Sequence, residues 1–256
     1  MNPGDFDKNF SLAGKVALIT GGAKGIGKAI ALLYADKGAN LALIDIAAEL
    51  DTVVAEARTK GAKAIGIKAD LRSKTELARA VNTVIAEFGR IDVLVNNAGV
   101  ALLDEAENLS EEWWDLTMAV NLKAPFLLSQ LVAKEMMKTG GGRIISMASQ
   151  AGIISLDRHV AYTTSKAAII GMTKVLACEW AEFGIRVNCI SPTVILTELG
   201  EKAWAGEVGE AMKKKIPARR FGYPEEVAAC AVFLAADASD LITGSNLVID
   251  GGYTVQ

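Results

Sequence analysis

The sequence predicts an α/β fold in which a doubly wound parallel sheet of seven strands carries helices on both faces. Three observations lead there. Short unbroken apolar runs, of the kind a strand shows when both its faces are buried, alternate with longer stretches of helical period. The first run leads straight into a glycine-rich turn that opens a helix, and the second ends in an aspartate roughly 20 residues further on. Alternation of this sort specifies parallel strands joined by right-handed crossovers. With 51% hydrophobic residues among 256, the chain has ample material for one substantial core, and no repeat or low-complexity segment divides it.

Taken in order, residues 1–14 are polar and contain Gly, Pro and Asn, so they read as an arm ahead of a first strand over 16–20. The turn Thr20-Gly21-Gly22-Ala23-Lys24-Gly25-Ile26-Gly27 follows and opens a helix ended by Gly38. Glycines there let the backbone turn sharply and approach a diphosphate, which the free N–H groups and the helix dipole favour. A second strand over 41–45 ends at Asp45, whose carboxylate can accept hydrogen bonds from ribose hydroxyls and would repel a 2′-phosphate. Lys24 pulls the other way, since a cation in the glycine turn can pair with that phosphate.

A helix over 47–59, a strand over 64–69 ending at Asp70-Leu71, a helix over 73–88 and a strand over 91–96 come next. Asn96-Asn97-Ala98-Gly99 closes that fourth strand at its carboxyl end, where open α/β sheets bind ligands; its small residues leave room for a cofactor. Ser110 with Glu111 and Glu112 marks a helix start, a capping hydroxyl followed by acids in the first turn. Asn121 and Pro125 predict a local break before a second helical stretch to about 138. Trp113 and Trp114 read as core or subunit-contact residues rather than a substrate cage. Strands over 143–148 and 185–190 flank a helix over 162–183; the segment 194–221 loosens into a substrate loop or lid punctuated by Gly and Pro. Pro224-Glu225-Glu226 opens a last helix, and a strand over 246–250 precedes the tail.

The chemistry concentrates between Ser149 and Lys166. Tyr162 and Lys166 lie four residues apart and share one face of a helix, so the ammonium can favour the phenolate and bring its pKa toward a value useful for proton transfer. Ser149, at the end of the preceding strand, can bring a hydroxyl to the same reacting oxygen. With four tyrosines in the chain that spacing alone carries little; its neighbours give it weight.

Composition excludes other classes. A net charge of -3 provides no basic field for nucleic acid or an anionic membrane, and Lys213, Lys214 and Lys215 read as a solvated helix face. Cys178, Cys189 and Cys230, with a single histidine, make no metal cluster and predict reduced, buried thiols. Residues near the start include Asp5 and Asp7 and no apolar leader, and the apolar run 228–236 is far shorter than a membrane span, so a soluble cytoplasmic protein is expected.

Taken together, Thr-Gly-x-x-x-Gly-x-Gly at 20–27, Asn-Asn-Ala-Gly at 96–99 and Ser149 thirteen residues before Tyr162-x-x-x-Lys166 resemble the short-chain dehydrogenase/reductase family over nearly the whole chain. The resemblance implies a single-domain Rossmann fold over 1–256 and an NAD(H)-dependent oxidoreductase. In it Tyr162 is the general acid/base, Ser149 bonds the substrate oxygen, Lys166 binds the nicotinamide ribose and lowers the Tyr162 pKa, and Asn121 holds a relay water. It further implies cofactor contacts from Gly21, Lys24, Gly25, Ile26, Gly27 and Asp45, from Asp70 and Leu71 at the adenine, from Asn97, Ala98 and Gly99, and from Pro192, Val194, Ile195 and Thr197 at the nicotinamide end. The runs at 191–200, 202–206 and 217–224 resemble a subgroup that oxidises sugar alcohols and small diols. Gln150 and His159, placed to face the pocket, suit a polyhydroxy substrate, although His159 reads equally well as an ordinary loop residue. The alternatives are an NADP(H)-dependent β-ketoacyl carrier-protein reductase, against which Asp45 argues, and a catalytically idle NAD-binding sensor or assembly protein. Family members are usually homotetramers, here through the Trp113 helix and the carboxyl-terminal strand and tail. The ending Gly-Gly-Tyr-Thr-Val-Gln also resembles members that place a structural, non-catalytic Mg2+ near the C-terminus.

Overall fold

Period-two alternation along the strands divides the interior into two cores. In the computed structural model, which describes residues 7–198, 200 and 204–256, Ala17 and Ile19 of β1 (Val16–Thr20) join one core, while Val16 and Leu18 join the other. The same division holds in β2 (Asn40–Asp45), where Leu41 and Leu43 face one side and Ala42 and Ile44 the opposite one. With β3 (Ala64–Lys68), β4 (Val93–Asn96), β5 (Gly142–Met147), β6 (Ile185–Pro192) and β7 (Asn246–Ile249), these strands form one parallel sheet in the order 3-2-1-4-5-6-7. The first six residues of the expected arm, and residues 199 and 201–203 of the expected lid, lie outside the described residues.

One face is covered by α1 (Gly25–Asp36), α2 (Leu50–Thr59) and the last long helix, Pro224–Ala235; Ile30, Tyr34, Val53, Val227 and Ala231 pack there. The other carries α3 (Lys74–Phe88), α5 (Ala124–Lys138) and α6 (Val160–Trp180), through Leu77, Val84, Leu128, Val132 and Leu176. A short α4 (Glu111–Met118) precedes α5, and α7 (Glu207–Lys215) precedes the last helix, α8. Full burial of such side chains contributes about 1.5–3 kcal/mol each. The strand order reverses between β1 and β4, which opens a crevice at their carboxyl ends. The segments that carry the site converge on it.

Caps fall where the sequence placed them. Ser110 Oγ accepts the Trp113 N–H at 3.2 Å, and Pro224 takes the first turn of α8. Other boundaries move for local reasons. β4 begins at Val93, because the Asp92 carboxylate accepts the Val16 N–H at 2.8 Å and is clasped by Arg90. α2 begins at Leu50, because Asp45 draws the Ile46 and Ala47 N–H groups into a turn. The expected break at Asn121 is a π turn, Ala119–Lys123, so helix continues from Glu111 to Lys138. Among the described residues this is the one helix long and apolar enough to cross a membrane, and its Leu128, Val132 and Met136 pack in the core.

All three cysteines are free, but only Cys189 is buried; Cys178 is exposed because it lies off the stripe of α6 that Thr173, Leu176 and Ala177 bury. Trp113 and Phe126 are each 39% exposed on the outer side of α4 and α5.

Candidate active site

The turn after β1 is built by two side chains. The Thr20 hydroxyl accepts the N–H groups of Asn97 and Ala98 at 3.0 and 3.1 Å, and Asn97 Nδ2 donates to the carbonyls of Thr20 and Gly21. These bonds weld the β1 turn to the β4 turn. Gly21 holds φ +67° and Gly25 φ +51°, the left-handed region where glycine is favoured. A Cβ on Gly21 would meet Asn97 Nδ2 at 2.8 Å, so the close approach is available to glycine alone.

Beside this turn lies a cavity of about 440 Å³. Of the residues expected to hold a cofactor, Gly21, Asp45, Asp70, Leu71, Ala98 and Gly99 line it. Ile46, Arg72, Val100, Leu116 and Val120 line it as well and were not foreseen. Arg72 carried a faint signal, following Asp70-Leu71 directly; its guanidinium pairs with Asp70 at 2.6 Å, and that pairing holds the Asp70 carboxyl below its usual range. Asn97 is not a wall residue, because its amide is spent on the β1 turn. Asp45 accepts Ala23 N–H at 3.0 Å, Ile46 N–H at 2.7 Å and Ala47 N–H at 3.0 Å, which fixes the carboxylate at the cavity edge. Lys24 is absent from the walls; its ammonium pairs with Glu49. Ile26 and Gly27 lie in the first turn of α1, and Gly27 packs against the Gly21 carbonyl. Thr197 lies against Gly25, its Cγ2 about 3.0 Å from where a Cβ would be, while Ile195 bridges to Gly222 and Pro192 ends β6 with Val194 just beyond. The glycine cradle, the cavity and the fixed acid fit an adenine dinucleotide.

The residues expected to transfer the proton meet next to this cavity. Ser149 leaves β5 with its Oγ accepting the Ala151 N–H at 3.1 Å. Tyr162 stands in the first turn of α6, which starts two residues earlier than expected, with the Ser149 hydroxyl acting on its phenol. Lys166, only 5% exposed, lies with Nζ 5.5 Å from the centroid of the Tyr162 ring and donates to the Met147 carbonyl at 2.7 Å. Asn121 projects from the π turn: its Oδ1 accepts the Val100 N–H at 2.8 Å, and its Nδ2 donates to the Val100 carbonyl at 2.8 Å and to Ser165 Oγ at 3.2 Å. Gly99 faces both, since a Cβ there would lie 3.3 Å from Asn121 Oδ1 and 3.6 Å from Lys166 Nζ.

Electrostatics corrects one expectation. Burial pushes the Tyr162 phenol above its ordinary value, and the bond from Ser149 offsets this only in part; the net shift is upward, not the lowering expected from Lys166. The cause is desolvation of the phenolate, with the Lys166 ammonium committed to Met147. Burial also lowers Lys166 to about 8.

The two expected substrate residues do not share the cavity. Gln150 is 4% exposed with its Oε1 unpartnered among the described residues. His159 stands edge-on to Tyr162, ring centroids 6.0 Å apart, and its Nδ1 lies 2.6 Å from the Asp157 carbonyl. It borders a separate hollow of about 220 Å³ with Ser155, Arg158 and Thr163. Among the described residues no group of three or more His, Cys, Asp or Glu is placed to hold a metal, and the Gln256 amide donates to the Lys215 carbonyl.

A protein-family model described as enoyl-(acyl carrier protein) reductase matches residues 21–254. An NAD-dependent glycerol dehydrogenase of Listeria innocua is 56% identical over 251 residues, covering 98% of this chain and 98% of that protein. D-threitol dehydrogenase of Mycolicibacterium smegmatis is 54% identical over 253 residues, covering 98% of this chain and 96% of that protein. A crystal structure of NAD+-bound xylitol dehydrogenase superposes with a TM-score of 0.90 at 32% identity, covering 94% of this chain and 99% of that one.

Proposed function

Since the chain belongs to the short-chain dehydrogenase/reductase family and is an oxidoreductase, we propose that it uses NAD to oxidise a secondary alcohol of a polyol, or of a small vicinal diol, reversibly to the ketone. The observation that carries this reading is the meeting of Ser149, Tyr162, Lys166 and Asn121 beside a glycine turn that admits no Cβ. The two curated relatives act on glycerol and threitol by name, which supports the polyol class.

NAD, when bound, supplies the hydride acceptor; the chain supplies position and proton transfer. Ser149 donates a hydrogen bond to the reacting oxygen while Tyr162 takes or returns the proton there. Lys166, buried and close to the Tyr162 ring, holds the nicotinamide ribose. Asn121 spends its amide on Val100 and Ser165, which fixes the loop after β4 against α6; we assign the relay water to that junction. Asp45 accepts from the adenosine ribose, with Asp70 and Leu71 at the adenine and Pro192 to Thr197 at the nicotinamide end. We assign Gln150, with its spare acceptor, and His159 to the substrate hydroxyls. The enzyme is expected to be a cytoplasmic homotetramer, formed through Trp113, Phe126, Val248 and the tail, whose side chains are partly exposed.

The decisive assay is absorbance of reduced nicotinamide across four- to six-carbon polyols and short vicinal diols, with NAD and NADP and a β-ketoacyl thioester as the competing substrate. Fast NAD reduction by one polyol is the expected result. Thioester reduction preferring NADPH would overturn it, and tight NAD binding with no turnover would leave an idle sensor.

A pH dependence follows from the upward shift of Tyr162. Oxidation needs the deprotonated phenol, so its rate is expected to rise about tenfold per pH unit through the range 7–9. Ketone reduction needs the protonated phenol and should stay level or fall there. Rate profiles in both directions check this; an oxidation rate that falls with pH would contradict it.

A further inference from the structure

A cation beside the adenosine end of a dinucleotide groove is a ready partner for a phosphate monoester. Lys24 occupies such a place. It is the N-cap of α1, immediately before Gly25, and the preceding Ala23 donates its N–H to Asp45. By sequence this lysine and Asp45 act in opposite directions on a ribose 2′-phosphate. The fold adds a third group: Glu49, the N-cap of α2, brings Oε1 to 2.6 Å from Lys24 Nζ. Asp45 and Glu198 add further negative potential at the same ammonium. Lys24 is thus paired with one carboxylate and lies in the field of two more.

We infer that Glu49 is a cofactor-discriminating residue, which holds the Lys24 ammonium in an ion pair and so denies it to the 2′-phosphate of NADP. This rests on the reading of the chain as an NAD-dependent dehydrogenase. To meet the phosphate, Lys24 must leave Glu49, and the phosphate dianion then faces an unpaired Glu49 as well as Asp45. NAD, with a hydroxyl at that position, needs no cation and meets no such repulsion. Both partners are half-exposed, with side-chain exposures of 58% and 50%, so the pair adds little to stability; what it sets is the local charge that an incoming ligand encounters.

Glu49→Gln removes the charge and keeps the shape. Dissociation constants of NADH and NADPH, measured by calorimetric titration without substrate, are the readout. In Glu49→Gln the NADPH constant is expected to fall about 10-fold at low ionic strength, with NADH changed less than about 2-fold, and the gain should shrink in 1 M salt. In a Lys24→Ala background the same substitution should improve NADPH binding only about 3-fold or less, because only direct repulsion remains to be relieved. An unchanged NADPH constant alongside intact NADH binding would overturn the inference alone, as would an equal gain with and without Lys24. Failure of the wild-type protein to bind NADH would overturn the dehydrogenase reading and this inference with it.

Discussion

Replacing Tyr162 by Phe is expected to lower kcat for alcohol oxidation by about 10³-fold or more while NADH affinity stays within about 2-fold. The substitution deletes one hydroxyl and keeps the ring, so its contacts with His159 and Lys166 persist. Folding should change little, since the ring keeps its packing and only the hydroxyl facing Ser149 is lost. Ser149→Ala should also be severe, and the double variant should be no worse than Tyr162→Phe, because the two hydroxyls serve one oxygen. Initial rates, a binding titration and a thermal melt on the three variants test this. Retained turnover in Tyr162→Phe would remove the phenol from the mechanism.

Gly27→Ala is expected to abolish measurable nucleotide binding and to lower stability together. A Cβ there would press on the Gly21 carbonyl and stand 2.5 Å from Asn97 Nδ2, both part of the weld between the β1 and β4 turns. Neither can yield singly: α1 is anchored behind Gly27 by Ile30 and Tyr34, both fully buried. Overpacking of this kind costs about 1–3 kcal/mol or more, which for a chain of this size lowers Tm by about 2–4 °C per kcal/mol. Gly171→Ala provides the contrast. That glycine lies in α6 with nothing within 4 Å of its virtual Cβ, so alanine should be neutral or stabilising by up to about 1 kcal/mol. Comparable melts and NADH titrations for both variants would refute the steric account.

What could be read in the sequence was what local pattern determines. Unbroken apolar runs and helical period marked the strands and helices, and Ser110 and Pro224 announced theirs, whereas the division of Ala17 and Ile19 from Val16 and Leu18 came only with the fold. The four residues proposed for proton transfer stood out through short spacing or a distinctive motif, and the fold brings them together. Contacts between distant residues were not legible. Nothing near Asp92 says that its carboxylate will replace a rung of the ladder at Val16, 76 residues away. Nothing near Lys24 says that Glu49 will reach it, and Asn97 reads as a cofactor contact until Thr20 and Gly21 are seen to use its amide. The direction of the Tyr162 shift was missed for the same reason: the adjacent charge is visible in the sequence, whereas burial is a property of the assembled molecule.

The π turn at Ala119–Lys123 takes up one residue more than a regular α-helical turn would. Because one widened turn absorbs that residue, the helix on either side keeps its phase: Leu116 lines the cavity before it, and Leu128 and Val132 pack in the core after it. The widened turn also carries Asn121, whose amide reaches Val100 and Ser165. Losing one residue from 119–123 would restore regular α-helix and leave both flanking faces in place, so the length change would fall on the setting of Asn121 rather than on the packing.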